Sequence, residues 1–535
     1  MHEQPTGRSI PLFPKFDYLC RTMKKSILVL FAVLVQYSFA QSVVVPLDHQ
    51  VYPLLVKGET LGLFHAYNLR VLPLTRTATL KLLRQMQEQS DRLSSADVGL
   101  LRQMIGEFTD PEIGRETLQE NERHLYRFEE GTTQAFVDVR GTQAVVLHRG
   151  RLDIPDETLS ETTGWGSVRG SFGDHVSFGL TARNTMVLGS EDQEERFDPS
   201  QGQSQVVVGK GVFRDQATGY VSATFQPLTL FVGRTQTSWG SGLQEQFSLS
   251  MLNEPMDQVI FTLEFERFRF SYLHANLQGA GSPRFLAGHR LDVLLGKNVQ
   301  LGVYETVVYG GRGAELAYLN PFVLYHIIEH QLGDRDNNMF GFDMTATVAP
   351  GLRAFGEVFV DDFSLDYPLG TYWGNKLAYM VGIHWAHPLG GKSLELFAAY
   401  TRVDPYVYTH MDSMNVYAHY DASVGSRLGP NAERWYIGFL YRPLRDLHCE
   451  LKYSFVKKGR GDVFTPHTVA DGEAKGFLSG VLERQHLVEM ALRYQFSRDM
   501  FIGFDAQFTN RTDAGNRPGL TAREQTLRLF VDINY

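Results

Sequence analysis

The residues best suited to chemistry are His326, Glu329 and His330, spaced H-x-x-E-H within NPFVLYHIIEHQLG. On a helix this spacing sets both imidazoles on one face, where they bind zinc while the glutamate activates water. Hydrolysis by that route needs a further ligand in the right place. The segment also lies inside a recurrent strand pattern, so the expectation is no catalytic metal and no cofactor. The chain offers no serine nucleophile elbow, P-loop or dinucleotide fingerprint, and no Ser/His pair stands out as a lipase would require. The reading is a non-enzyme.

The other chemistry-bearing residues suit binding. Arg234, Arg290, Glu305, Asn320, Glu357, Asp361 and Asp362 offer hydrogen bonds, and Trp239 a stacking face, of the kind that holds sugars. The simpler reading of Arg234, Arg290, Glu305, Glu357 and Asp361 is a charge lattice bracing an interior. For Trp239 and the pair Tyr372-Trp373, a membrane-interface girdle is the default and a sugar platform the alternative.

What must position these residues is a run of strands. From about residue 120 the apolar period becomes two. Trp435, Ile437, Phe439 and Tyr441 alternate to a short turn, and Leu447, Cys449, Leu451, Tyr453 and Phe455 alternate away from it. Val488 to Phe496 and Met500 to Phe508 repeat the pattern around a turn at Ser497-Arg498-Asp499. The opposite parity carries His448, Glu450, Lys452, Glu489, Arg493, Asp505 and Gln507, a row suited to a watery or ion-paired interior. Strands of roughly 9–11 residues match a tilted bilayer crossing. Short turns alternate with long polar loops such as 457–485, which distinguishes an outer-membrane barrel from a sandwich.

In GLRAFGEVFVDDF, Leu352, Ala354, Gly356, Val358 and Val360 are expected to face lipid, with Arg353, Glu357 and Asp361 inward beside Phe355 and Phe359. Glu305 breaks this logic, since it shares parity with Val299, Leu301 and Val303. A bulge or a strand-end position would resolve it. LRLFVDINY, residues 527–535, continues the alternation to the final aromatic, as a closing strand read by outer-membrane assembly machinery would.

Of the 535 residues, 12% are aromatic, yet mean hydropathy is only −0.21, because apolar residues are diluted by alternation. A net charge of −9 argues against nucleic-acid binding. MKKSILVLFAVLVQYSFAQS reads as a signal peptide ending near Ala40, with a start at Met23. Cys20 lacks lipobox neighbours, and Cys449 alone cannot form an internal disulfide. Residues 46–110 read as three short helices: Asp48 caps the first, Thr75 or Thr77 the second, and Ser94 with Asp97 forms a capping box on the third. The expected domains are 1–40 leader, 41–115 helical segment and 116–535 barrel. The fold class is all-β, a transmembrane antiparallel barrel, for which residues 120–535 are long enough to supply about 16 to 18 strands.

Four blocks carry a resemblance beyond architecture: LFVGRTQTSWGSGLQEQFSLS, AGHRLDVLLGKNVQLGVYETVVYGG, AELAYLNPF and DNNMFGFDMTATVAPGLRAFGEVFVDDF, in that order. They resemble the Wzi family of capsule-assembly outer-membrane proteins, most clearly over residues 228–365. The resemblance implies an 18-stranded barrel with a periplasmic helical bundle, located in the bacterial outer membrane. It also implies a surface polysaccharide as partner, beside outer-membrane lipid and the assembly machinery. A porin-like diffusion or uptake channel on the same scaffold is the alternative.

Overall fold

The computed structural model describes residues 43–64, 69–109, 124–152, 154–189, 205–242, 245–279, 281–368, 370–497 and 500–534. The expected leader with Cys20 and the start at Met23, the turn residues 498–499, the terminal Tyr535 and the proposed boundary at 115/116 lie outside these.

Eighteen antiparallel strands close on themselves. They are β1 Thr133–Arg149, β2 Glu157–Phe172, β3 Val176–Leu188, β4 Gly211–Phe225, β5 Leu228–Thr235 and β6 Met256–Glu264. Next come β7 Phe268–Leu277, β8 Arg284–Leu295, β9 Val299–Gly310, β10 Asn337–Ala349, β11 Leu352–Asp362 and β12 Lys376–Ala386. The circuit ends with β13 Leu394–Val403, β14 Ala432–Leu444, β15 Leu447–Lys458, β16 Glu483–Ser497, β17 Met500–Thr512 and β18 Thr521–Asn534. β18 pairs with β1, placing Leu527 opposite Leu147 and Leu529 opposite Val145, so no edge remains in the wall. Lipid offers no partner to an unpaired edge, which is why closure is obligatory.

Side-chain parity follows the alternation. Val145, Val303, Val358, Ile437, Phe439, Leu492, Phe504 and Leu529 are exposed on the outer wall, whereas Arg353, Phe355, Glu357, Phe359 and Asp361 are buried inside it. β1 and β2 run to 17 and 16 residues, longer than the expected 9–11, so the wall extends beyond a hydrocarbon layer. Connections at one end are short, as at 226–227, 296–298, 350–351 and 445–446; those at the other include 236–255, 311–336, 404–431 and 459–482.

Three helices, α1 Val51–Thr60, α2 Arg76–Glu88 and α3 Ser95–Phe108, sit at the short-turn end. Thr75 Oγ1 accepts from Ala78 N at 3.2 Å, and Ser94 Oγ accepts from Asp97 N at 3.0 Å, as the cap signals predict. Asp48 does not cap α1. That helix begins at Val51 after Gln50, with no side-chain cap. Its charged residues serve docking instead. Lys57 Nζ, 1% exposed, lies 2.8 Å from Asp97 of α3 and 3.4 Å from Glu395 at the start of β13. Glu59 pairs with Arg353 of β11 and accepts from Gln300 Nε2 of β9 at 2.9 Å. Thr60 Oγ1 is hydrogen-bonded to His384 Nδ1 of β12 at 2.7 Å.

Removing one member of a buried ion network strands its partners, at a cost of roughly 3–5 kcal/mol. Lys57→Met is therefore expected to expose 43–109 to limited proteolysis and to lower the urea midpoint of the helical signal. The barrel's heat-modifiable electrophoretic migration should stay unchanged; an unaltered protease pattern would contradict this docking role.

Candidate functional site

The lumen is not an open tube. The described residues of loop 236–255, and loop 404–431, turn inward and pack Trp239, Phe247, Leu249, Val407, Tyr408, Tyr417 and Val424 against inward residues such as Tyr304, Met339, Phe355, Phe359 and Met380. Polar contacts hold the loops to each other and to the wall. Glu357 accepts from Tyr304 Oη at 2.7 Å, Phe247 N at 3.3 Å and Ser241 N at 3.4 Å. Asp361 accepts from Tyr408 N. Tyr408 Oη donates to Phe247 O at 3.0 Å, and Tyr417 Oη to Ser248 O at 2.9 Å.

The plug is also tied to the N-terminal segment. Val71-Leu72 pairs antiparallel with Ser238-Trp239, and Gly240 N donates to Arg70 O at 3.0 Å. The Arg70 guanidinium reaches Asp343 at 3.1 Å and Asp292 at 3.4 Å. Arg290, fully buried, pairs with the same two carboxylates, at 2.6 Å each. Two arginines thus neutralise two aspartates, the arrangement that permits burial of so much charge. Across the lumen the inward groups are wetter. Arg493–Asp505 at 2.6 Å, Lys452–Glu450 at 2.7 Å and Arg528–Glu161 at 3.3 Å all stay partly accessible.

Glu305 has neither a bulge nor a strand-end position, because the β8–β9 and β9–β10 registers run through it without a shift. It faces the outer wall and is nonetheless 2% exposed. Loop 311–336 lies against that wall with its helix α4, Tyr325–Leu332, and covers Tyr272, Ala287, Val307 and Tyr309 together with its own Tyr318 and Tyr325. Glu305 accepts from Tyr325 N at 2.9 Å and His326 N at 2.6 Å, so a carboxylate meets the free N–H groups opening a helix. His289 Nε2 adds a contact at 3.2 Å.

Two places at the long-loop end offer surface to a ligand. One is a cavity of about 590 Å³ lined by Arg183, Asn184, Asp215, Gln216, Arg234, Glu254 and Tyr420. Arg234 forms a two-pronged pair with Asp257, at 2.8 and 2.5 Å, with both side chains more than 40% exposed. Gln216 Nε2 donates to Glu254 at 2.7 Å. The other is an aromatic cluster where loops 363–375, 404–431 and 459–482 meet. Trp373 stacks on His467 at 3.6 Å and 2°, Tyr367 stacks on Tyr372 at 4.0 Å, and Tyr406 meets His467 edge-on.

The eight residues singled out from sequence therefore scatter. Arg234 alone lines the cavity. Trp239 is 1% exposed in the plug, neither girdle nor platform, because its loop turns inward. Tyr372-Trp373 stands among the long loops, not in a girdle. Arg290, Glu357 and Asp361 are buried braces, and Asp362, with a 64% exposed side chain, pairs with Lys376 at 2.8 Å. Asn320 Oδ1 accepts from Phe322 N at 3.1 Å within the outer-wall loop. Sequence reading passed over Arg183, Gln216, Glu254, Tyr420 and His467; only their inward or loop placement, invisible locally, marks them. The H-x-x-E-H segment does form a helix, but among the described residues no group of three or more metal-ligating side chains gathers.

Glu357→Ala would leave the Tyr304 hydroxyl and two backbone N–H groups unpaired, each at about 1–3 kcal/mol. The expected outcome is a lower unfolding midpoint and a rise in planar-bilayer conductance as loop 236–255 loosens. Conductance equal to that of the wild type would show that Glu357 does not hold the plug.

The capsule assembly protein Wzi family matches residues 166–522. Among solved structures, Wzi of Escherichia coli, an outer membrane protein involved in group 1 capsule assembly and described as a carbohydrate-binding β-barrel, aligns with a TM-score of 0.62 and 13% identity, covering 92% of this chain and 99% of its own. OprD from Pseudomonas aeruginosa aligns at TM-score 0.44 and 12% identity over 75% of this chain and 95% of its own. OccAB4 from Acinetobacter baumannii gives 0.42 and 9%, over 75% and 98%. No curated protein matches the sequence significantly. With the family matched over well more than half of its length, and a closed barrel whose outward rows are apolar, this chain belongs to the Wzi family of capsule-assembly proteins of the bacterial outer membrane.

Proposed function

We propose that this protein binds and anchors surface polysaccharide at the outer face of the outer membrane, without catalysis, and that the short-turn end with its helices faces the periplasm. The observation that carries the reading is the inward folding of loops 236–255 and 404–431. In a Wzi-family barrel, they turn a wide lumen into a floor, with polar and aromatic surface presented at the long-loop end. The cavity beside Arg234 supplies charged donors, amides and carboxylates for sugar hydroxyls, and the cluster around Trp373 supplies ring faces. Lipid is the solvent of the outward rows. The alternating outward Leu529, Val531 and Ile533 of β18 suit recognition by the assembly machinery during insertion.

A channel is the second reading, favoured by the partly accessible charges of β15–β18. Bilayer recordings separate the two, since a steady open conductance in the wild type would favour transport. For anchoring, deletion of the gene should move polysaccharide from the cell-attached to the shed fraction, and unchanged attachment would sink the reading. Arg234→Ala should weaken retention of purified polysaccharide about tenfold or more, the loss expected for a charged hydrogen-bonding group.

A further inference from the structure

Helix α4 holds a pair of histidines that the anchoring function does not use. His326 and His330 are four residues apart and so share one helix face. Their rings meet at 4.3 Å and 70°, with the two Nε2 atoms turned toward each other 3.1 Å apart. The Nδ1 of His330 is bonded to Asp334, the carboxylate–imidazole contact that commonly orients a metal-binding ring. The His326 ring lies edge-on against Phe340 at 5.6 Å. Both imidazoles lie on the protein surface, with 56% of the His330 side chain exposed.

The spacing of the two nitrogens is informative. Metal–imidazole bonds of about 2.0–2.1 Å, at angles between square and tetrahedral, separate two ligand nitrogens by roughly 2.9–3.4 Å. The observed 3.1 Å falls inside that interval. The helix carrying the pair is also firmly seated. Tyr325 is fully buried, Glu305 binds the first two N–H groups, and Gly333 closes the helix at φ 95°. Preorganisation of this kind favours a site over a chance contact.

We propose that His326 and His330 form a two-imidazole clip for one divalent transition-metal ion of the zinc, nickel or copper class, with water in the remaining positions. With no third protein ligand gathered among the described residues, the clip captures an ion and is not built for peptide hydrolysis.

The test uses the full chain in detergent, without a polyhistidine tag and stripped with EDTA, titrated with Cu²⁺ and with Zn²⁺ by calorimetry. Copper electron paramagnetic resonance counts the ligating nitrogens. The expected result is one saturable ion per chain with two-nitrogen coupling, lost in His326→Gln and in His330→Gln. Asp334→Asn should weaken it about tenfold or more. Heat-modifiable migration should be equal in all variants, which separates loss of the clip from misfolding. Absence of a saturable site in the wild type would overturn the proposal and leave the pair as hydrogen-bonded imidazoles. So would a site that persists in both glutamine variants.

Discussion

Everything in this molecule follows from the need to pair backbone groups where no water is available. A strand edge in lipid costs several kcal/mol for each unmet group, so the sheet closes, and 18 strands close around a space too wide for side chains alone to fill. That space must hold either water or more chain. Here the half bounded by β6–β14 holds chain and the half around β15–β18 keeps its polar residues partly wet.

Filling a barrel with loops buries charge, and the pairing pattern answers that cost. Arg70 and Arg290 face Asp292 and Asp343, while Glu357 and Asp361 take backbone N–H groups from the plug loops. These contacts link wall, plug and N-terminal segment into one body. The residue types are those a sugar site would use, but their burial gives them a bracing role. The surface that stays open lies beside the plug loops, in the cavity at Arg183, Gln216 and Tyr420, and where the long loops meet at Trp373.

The outer wall has its own exception with the same logic. Glu305 occupies a row that should face lipid, and α4 with its loop covers it and supplies N–H donors. A carboxylate on the wrong parity becomes the seat of a helix that lies outside the barrel, not a bulge. Leu316, Phe322, Leu324 and Ile327 of that loop remain exposed, so the covered patch is replaced by another apolar face.

The alternation of residues such as Ile437, Phe439 and Tyr441, or Leu492 and Tyr494, sufficed by itself to determine strands, their inner and outer faces, and the closed barrel. Parity is a local property, and each strand displays it without reference to its neighbours. Ser94 with Asp97, and Thr75, likewise marked helix starts locally. The destination of the long loops was decided only in three dimensions. Phe247 meets Glu357 across 110 residues and Tyr408 across 161, so nothing near Trp239 or Tyr372 distinguishes a plug from a girdle or a rim. Family likeness pointed to the ligand class, while the placement of Arg234, Tyr420 and Trp373 around the inward-folded loops arose from contacts between segments far apart in the chain.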